Sequence, residues 1–112
     1  MIRIVYDEQN LTLEISGHAG SAPKGSDLVC CAVSVLGDTL LNNLKKFKGS
    51  GWYVLDCDTA DGELYIHCEV NGYFSFVVEM FRFVMVGFQA IAEHYPQYVK
   101  IIETGGQENG GI

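Results

Sequence analysis

Residues 52–70 read WYVLDCDTADGELYIHCEV, two alternating runs joined by Asp61-Gly62. Trp52–Ala60 and Glu63–Val70 each place apolar side chains at every second position, which predicts two half-buried strands. An Asp-Gly pair between such runs signals a two-residue hairpin turn of type I′, with positive φ at both residues. Pairing Ala60 with Glu63 sets Cys57 opposite Ile66, Leu55 opposite Cys68 and Tyr53 opposite Val70 on the core face. The other face carries Asp56, Asp58, Glu63, Tyr65, His67 and Glu69. Asp56 then faces His67, which predicts an exposed cross-strand ion pair rather than a catalytic one. Cys57 and Cys68 read as small core residues. No Cys-x-x-Cys spacing argues for zinc.

The same alternation recurs upstream. Ile2, Ile4 and Tyr6, then Leu11, Leu13 and Ile15, predict a first hairpin. Facing Tyr6 with Leu11 sets Ile4 opposite Leu13 and Arg3 opposite Glu14. Between the hairpins, Leu28–Phe47 reads as a helix whose buried stripe is Val29, Val33, Leu36, Leu40, Leu44 and Phe47. Ser26 or Asp27 can cap its start, and Lys45, Lys46 and Lys48 complement its negative end. Ser75–His94 is a second helix, ended by Pro96. Its apolar face is too broad for one small sheet to cover, which predicts a homodimer contact. Tyr98–Glu103 can add a short final strand.

The order ββαββα(β) predicts a two-layer α+β sandwich: a mainly antiparallel sheet of four or five strands under two helices. One domain is expected over residues 1–103, followed by a disordered Gly-rich tail at 104–112. At 112 residues and 48% hydrophobic, the chain is too short for two ordinary domains and too apolar for overall disorder. A net charge of -7 argues against direct binding of nucleic acid and favours a cationic partner. The start turns acidic at Asp7-Glu8 before a secretory core can form, and Glu79 and Arg82 interrupt the apolar run 74–88. A cytosolic protein with no membrane partner, and four cysteines kept as thiols, is therefore expected.

The chemistry concentrates in residues 17–34, GHAGSAPKGSDLVCCAVS. His18 ends a strand, and Cys30 stands in the first turn of a helix. The ten-residue loop His18–Asp27 can fold back and bring them together. A helix start presents partial positive charge and unpaired N–H groups, which favour a thiolate. A neighbouring imidazole can take the thiol proton and return it to a leaving amine. The same N–H groups can stabilise an oxyanion. These are the parts needed for acyl transfer by a Cys/His dyad. Helical position does not separate Cys30 from Cys31. A disulfide between adjacent cysteines is strained, so a redox pair is disfavoured.

Gly17-His18-Ala19-Gly20 followed by Gly25-x-Asp27-x-Val29-Cys30-x-Ala32-x-Ser34 resembles the ribosomal-processing cysteine protease family, Prp (YsxB-like proteins). Length, element order and the phenylalanine-rich second helix agree with it. The resemblance implies that His18 is the general acid/base and Cys30 the nucleophile. Asp27 matches the motif aspartate, as helix cap and loop anchor or as orienter of the histidine. Ser34 falls on a supporting position. Cys31 departs from the usual alanine, and Ala22-Pro23-Lys24 lacks an aromatic that many relatives carry. The family implies removal of the N-terminal extension of a large-subunit ribosomal protein (number twenty-seven), without a cofactor and as a homodimer. The alternative is a non-catalytic, ribosome-associated binding module of the same fold.

Overall fold

The computed structural model describes residues 1–20, 22, 27–71 and 74–104. Strands β1 (Ile2–Asp7) and β2 (Thr12–Ser16) lead into helix α1 (Leu28–Phe47) and a 3₁₀ turn at Lys48–Ser50. Strands β3 (Tyr53–Ala60) and β4 (Glu63–Val70), helix α2 (Phe74–His94) and strand β5 (Val99–Thr104) complete the order. The sheet runs β3-β4-β2-β1-β5. Its neighbours are antiparallel except β5, which lies parallel to β1. The expected α+β sandwich is therefore formed with its fifth strand. Thr104 closes β5, and the remainder of the expected tail lies outside the described residues, as does the alternative cap Ser26.

The second hairpin has the expected register throughout, from Tyr53 opposite Val70 to Ala60 opposite Glu63. Its turn differs. Gly62 takes φ 75°, but among the described residues the only non-glycine with positive φ is Leu11, so Asp61 does not adopt the type I′ shape. Gly62 is held from outside the hairpin, since its carbonyl accepts the Gly17 N–H at 2.8 Å. The turn thus answers to a neighbouring loop as well as to strand twist. The expected Asp56–His67 ion pair is also replaced. β2 pairs on the other side of β4, so His67 Nδ1 lies 3.1 Å from Thr12 Oγ1 and Nε2 lies 3.5 Å from Glu69. A hairpin read in isolation lacks that third strand.

The first hairpin slips by two residues from the expected pairing. Tyr6 lies opposite Leu13, Ile4 opposite Ile15 and Arg3 opposite Ser16, so Arg3 does not face Glu14. The turn is longer than the alternation implied, with Leu11 at φ 47° and the Asn10 side chain donating to Asp7 at 2.8 Å. A two-residue slip keeps every side chain on its face, so Ile4, Tyr6, Leu11 and Leu13 are still buried.

Both helices lay their apolar stripes towards the sheet. Val29, Val33, Leu40 and Leu44 of α1 are buried as expected, but Leu36 is only half-buried and Phe47 lies at the rim. Gly37 and Leu41 take the places on the inner face. Leu36 instead meets α2 at Gly87, where a Cβ would stand 2.8 Å from its Cδ1. A residue without a side chain therefore lets the two helices approach closely. Tyr53 donates its buried hydroxyl to the Leu44 carbonyl at 2.6 Å, tying the end of α1 to β3. By length and composition both helices could cross a membrane. Their buried residues, Leu40 and Leu44 on one and Val77, Phe81 and Phe88 on the other, belong to the shared core.

A polar tie closes the far side. Arg82 on α2 donates from Nε and Nη2 to the two Glu8 oxygens at 2.8 and 2.7 Å, and Tyr6 donates to Glu8 at 3.0 Å. The Arg82 hydrogen bonds hold the Glu8 carboxyl below its ordinary range, helped by Tyr6 and opposed by burial. A depressed folded-state pKa stabilises the fold above the unfolded carboxylate value and is lost as pH falls through the folded one. Arg82→Ala should therefore cost about 1 kcal/mol at neutral pH, given the exposure of the guanidinium. The difference from the parent should shrink as pH falls below the ordinary carboxyl value of about 4.3 towards the folded-state one. Urea titrations at pH 7 and pH 3 check this, and an equal difference at both would contradict it.

Candidate active site

The loop after β2 and the start of α1 meet at a cleft of about 670 Å³. His18, Asp27, Cys30 and Ser34, the four residues singled out from the sequence, all line it. Asp27 is the N-cap of α1, with Oδ1 accepting from Val29 N at 3.1 Å and Cys30 N at 3.0 Å. This buried carboxylate fixes the first turn and with it the Cys30 side chain. The capping reading of Asp27 is thus seen directly. Ser34 lies one turn further along the same wall, exposed to the cleft.

Cys30 is half-buried, and its Sγ accepts the Ala19 N–H at 3.2 Å. Cys31 also borders the cleft but is exposed. The Ala19 contact distinguishes two thiols that helical position alone did not. It also brings the Gly17-His18-Ala19 segment against the nucleophile candidate, as a folded-back loop requires. The imidazole of His18 makes no hydrogen bond to Sγ among the described residues. It lies instead on the β3–β4 turn, where a Cβ built on Gly62 would stand 2.6 Å from Nε2. Three first-turn amides of α1 are already bonded. Val29 and Cys30 N–H go to the Asp27 side chain, and Cys31 N–H goes to the Asp27 carbonyl at 3.1 Å. These three expected oxyanion donors are therefore occupied, and the N–H already aimed at sulfur comes from Ala19.

The sequence reading missed the second wall. Asp61, Gly62 and Glu63 of the β3–β4 turn line the cleft, as does Asp38 of α1. The turn was legible as a turn; its position beside His18 needs the β2–β4 pairing. Cys68 belongs to a different environment, 3% exposed in the core. Burial pushes its thiol up to about 12. Iodoacetamide at neutral pH should accordingly label Cys30 and Cys31 in the folded protein and spare Cys68. Peptide mapping checks this, and labelling of Cys68 as fast as in the urea-unfolded chain would refute it.

A thiol at a helix start and an imidazole bordering one cleft are the residue types used by thiol-dependent hydrolases. The chain belongs to the family of the cysteine protease Prp, whose model matches residues 1–100. Comparison with curated proteins gives no significant match. Among solved structures, the essential ribosomal processing protease Prp from S. aureus, with a covalently linked product peptide, is similar at TM-score 0.69 and 21% identity, over 92% of this chain and 97% of that one. The same protease with a substrate peptide gives TM-score 0.65 and 20% identity over the same shares. SMU.848 from Streptococcus mutans gives TM-score 0.65 and 26% identity, over 94% of this chain and 93% of that one.

Proposed function

We propose that this chain is a cysteine endopeptidase that removes the N-terminal extension of a large-subunit ribosomal protein (number twenty-seven), using Cys30 as nucleophile and His18 as general acid/base. The observation that carries the reading is the cleft in which His18, Asp27, Cys30 and Ser34 converge, in a chain of this family. His18 takes the Cys30 proton as Sγ bonds to the scissile carbonyl carbon. The carbon–nitrogen bond then breaks, and His18 gives that proton to the departing amine. Water next attacks the thioester, passing a proton through His18 back to sulfur as the acid product leaves. Asp27 holds the helix start so that Sγ stays in the cleft.

The net charge of -7 suits a basic ribosomal protein, drawing it in and weakening with salt. The reading places the enzyme in the cytosol. It also includes a homodimer, supported by Phe83 and Val86 of α2 at 76% and 65% exposed; light scattering showing only monomer at micromolar concentration would remove that part. Mass spectrometry of the precursor ribosomal protein after incubation with this chain tests the central claim. A single product shortened at its N terminus is expected. An intact precursor would leave the alternative of a non-catalytic ribosome-associated module.

A further inference from the structure

The β3–β4 turn touches the His18 segment twice. Gly62 accepts the Gly17 N–H at 2.8 Å, which anchors the backbone one residue before His18. The imidazole itself lies on Gly62: a Cβ there would stand 2.6 Å from Nε2, 3.0 Å from Cε1 and 3.3 Å from Cδ2. Three ring atoms at these distances mean that the ring rests on the backbone of the turn, in space that any side chain would fill. One residue further along, Ala19 N–H reaches Cys30 Sγ at 3.2 Å. The segment 17–19 is therefore strung between the turn and the sulfur.

We infer that Gly62 is a positioning residue for His18, and that the β3–β4 hairpin sets where the imidazole sits in the cleft. The inference rests on the proposed role of His18 as acid/base. Its mechanism is steric. The ring is bounded on one side by a residue with no side chain, and a Cβ at 62 displaces it. A displacement of this size, near an ångström, costs about a hundredfold in a proton-transfer step that depends on alignment. Substrate binding in the rest of the cleft is untouched, so the loss falls on kcat and leaves KM in place.

Two variants separate the ring contact from turn strain. Gly62→Ala adds a Cβ and also disfavours φ 75°. Gly62→Asn adds the Cβ in a residue that tolerates the left-handed region. Both are read by histidine side-chain NMR and by peptide cleavage. The protein has three histidines, so His67 and His94 serve as internal controls. In both variants the His18 ring resonances should move while those of His67 and His94 stay, and kcat should fall about a hundredfold with KM unchanged. Unmoved His18 resonances in both variants would overturn the inference. So would moved resonances with cleavage at or above the parental rate. If the parent itself does not cleave, the proposed function falls, and the NMR comparison still decides whether Gly62 seats the ring.

Discussion

Cys30→Ala should abolish cleavage of a peptide carrying the ribosomal protein's extension, lowering the rate by at least about a thousandfold, because removing one member of a nucleophile–base pair forfeits nearly the whole effect of both. His18→Ala should do the same, and combining the two should add little. Cys31→Ala should cleave normally. The fold should survive each change: Cys30 is only half-buried and His18 is exposed, so neither leaves a large cavity. The Ala19 N–H would lose its sulfur partner in Cys30→Ala, so Cys30→Ser, which keeps an acceptor, is the closer control. Product formation by mass spectrometry and the thermal midpoint of each variant should be followed together. Normal cleavage by Cys30→Ala with loss in Cys31→Ala would reverse the nucleophile. Activity surviving in both Cys30→Ala and His18→Ala would sink the dyad.

The largest stability effect is expected at Phe81. Its side chain is 0% exposed, and its ring stacks on Tyr6 with centroids 5.8 Å apart and planes 18° from parallel. Tyr6 comes from β1 and Phe81 from the middle of α2, so this pair joins sheet to helix layer. Phe81→Ala removes the ring and leaves a cavity, which should cost about 3–5 kcal/mol. Against a typical total of about 5–15 kcal/mol, that is a large share of the stability. The thermal midpoint should fall by roughly 12–40 °C, from about 4–8 °C per kcal/mol in a domain near this size. Phe81→Leu, which keeps much of the volume, should cost well under half as much. Urea unfolding measures both, and a loss below about 1 kcal/mol for Phe81→Ala would show that the core collapses around the gap.

Much of this architecture was legible because it depends on local pattern. The range Leu28–Phe47 of α1 follows from a cap, a 3.6-residue apolar stripe and a glycine-rich stop. The β3–β4 register follows from two alternating runs around a two-residue turn. The β1–β2 register did not follow, because the polar stretch between the runs left the turn length open. The face of each residue survived that slip, since a shift of two preserves the pleat. Leu36 and Phe47 were placed on the buried stripe of α1, whereas the second helix draws Leu36 towards Gly87 and leaves Phe47 at the edge. At the site, the candidates were recognised as residue types in one motif. Three of the amides assigned to an oxyanion, those of Val29, Cys30 and Cys31, are already used by Asp27.

The linear order of residues determined the elements, most of their faces, the acidic charge and the presence of a histidine after a strand and a cysteine at a helix start in one motif. Each of these rests on contacts within a few residues or on periodicity along one element. Tertiary structure alone decided that β4 lies between β3 and β2, and so that the Asp61-Gly62 turn arrives beside His18. It also decided which of two adjacent thiols meets the Ala19 amide. Those outcomes depend on strand order and loop closure across the sheet, and pairing between distant strands has no local signature.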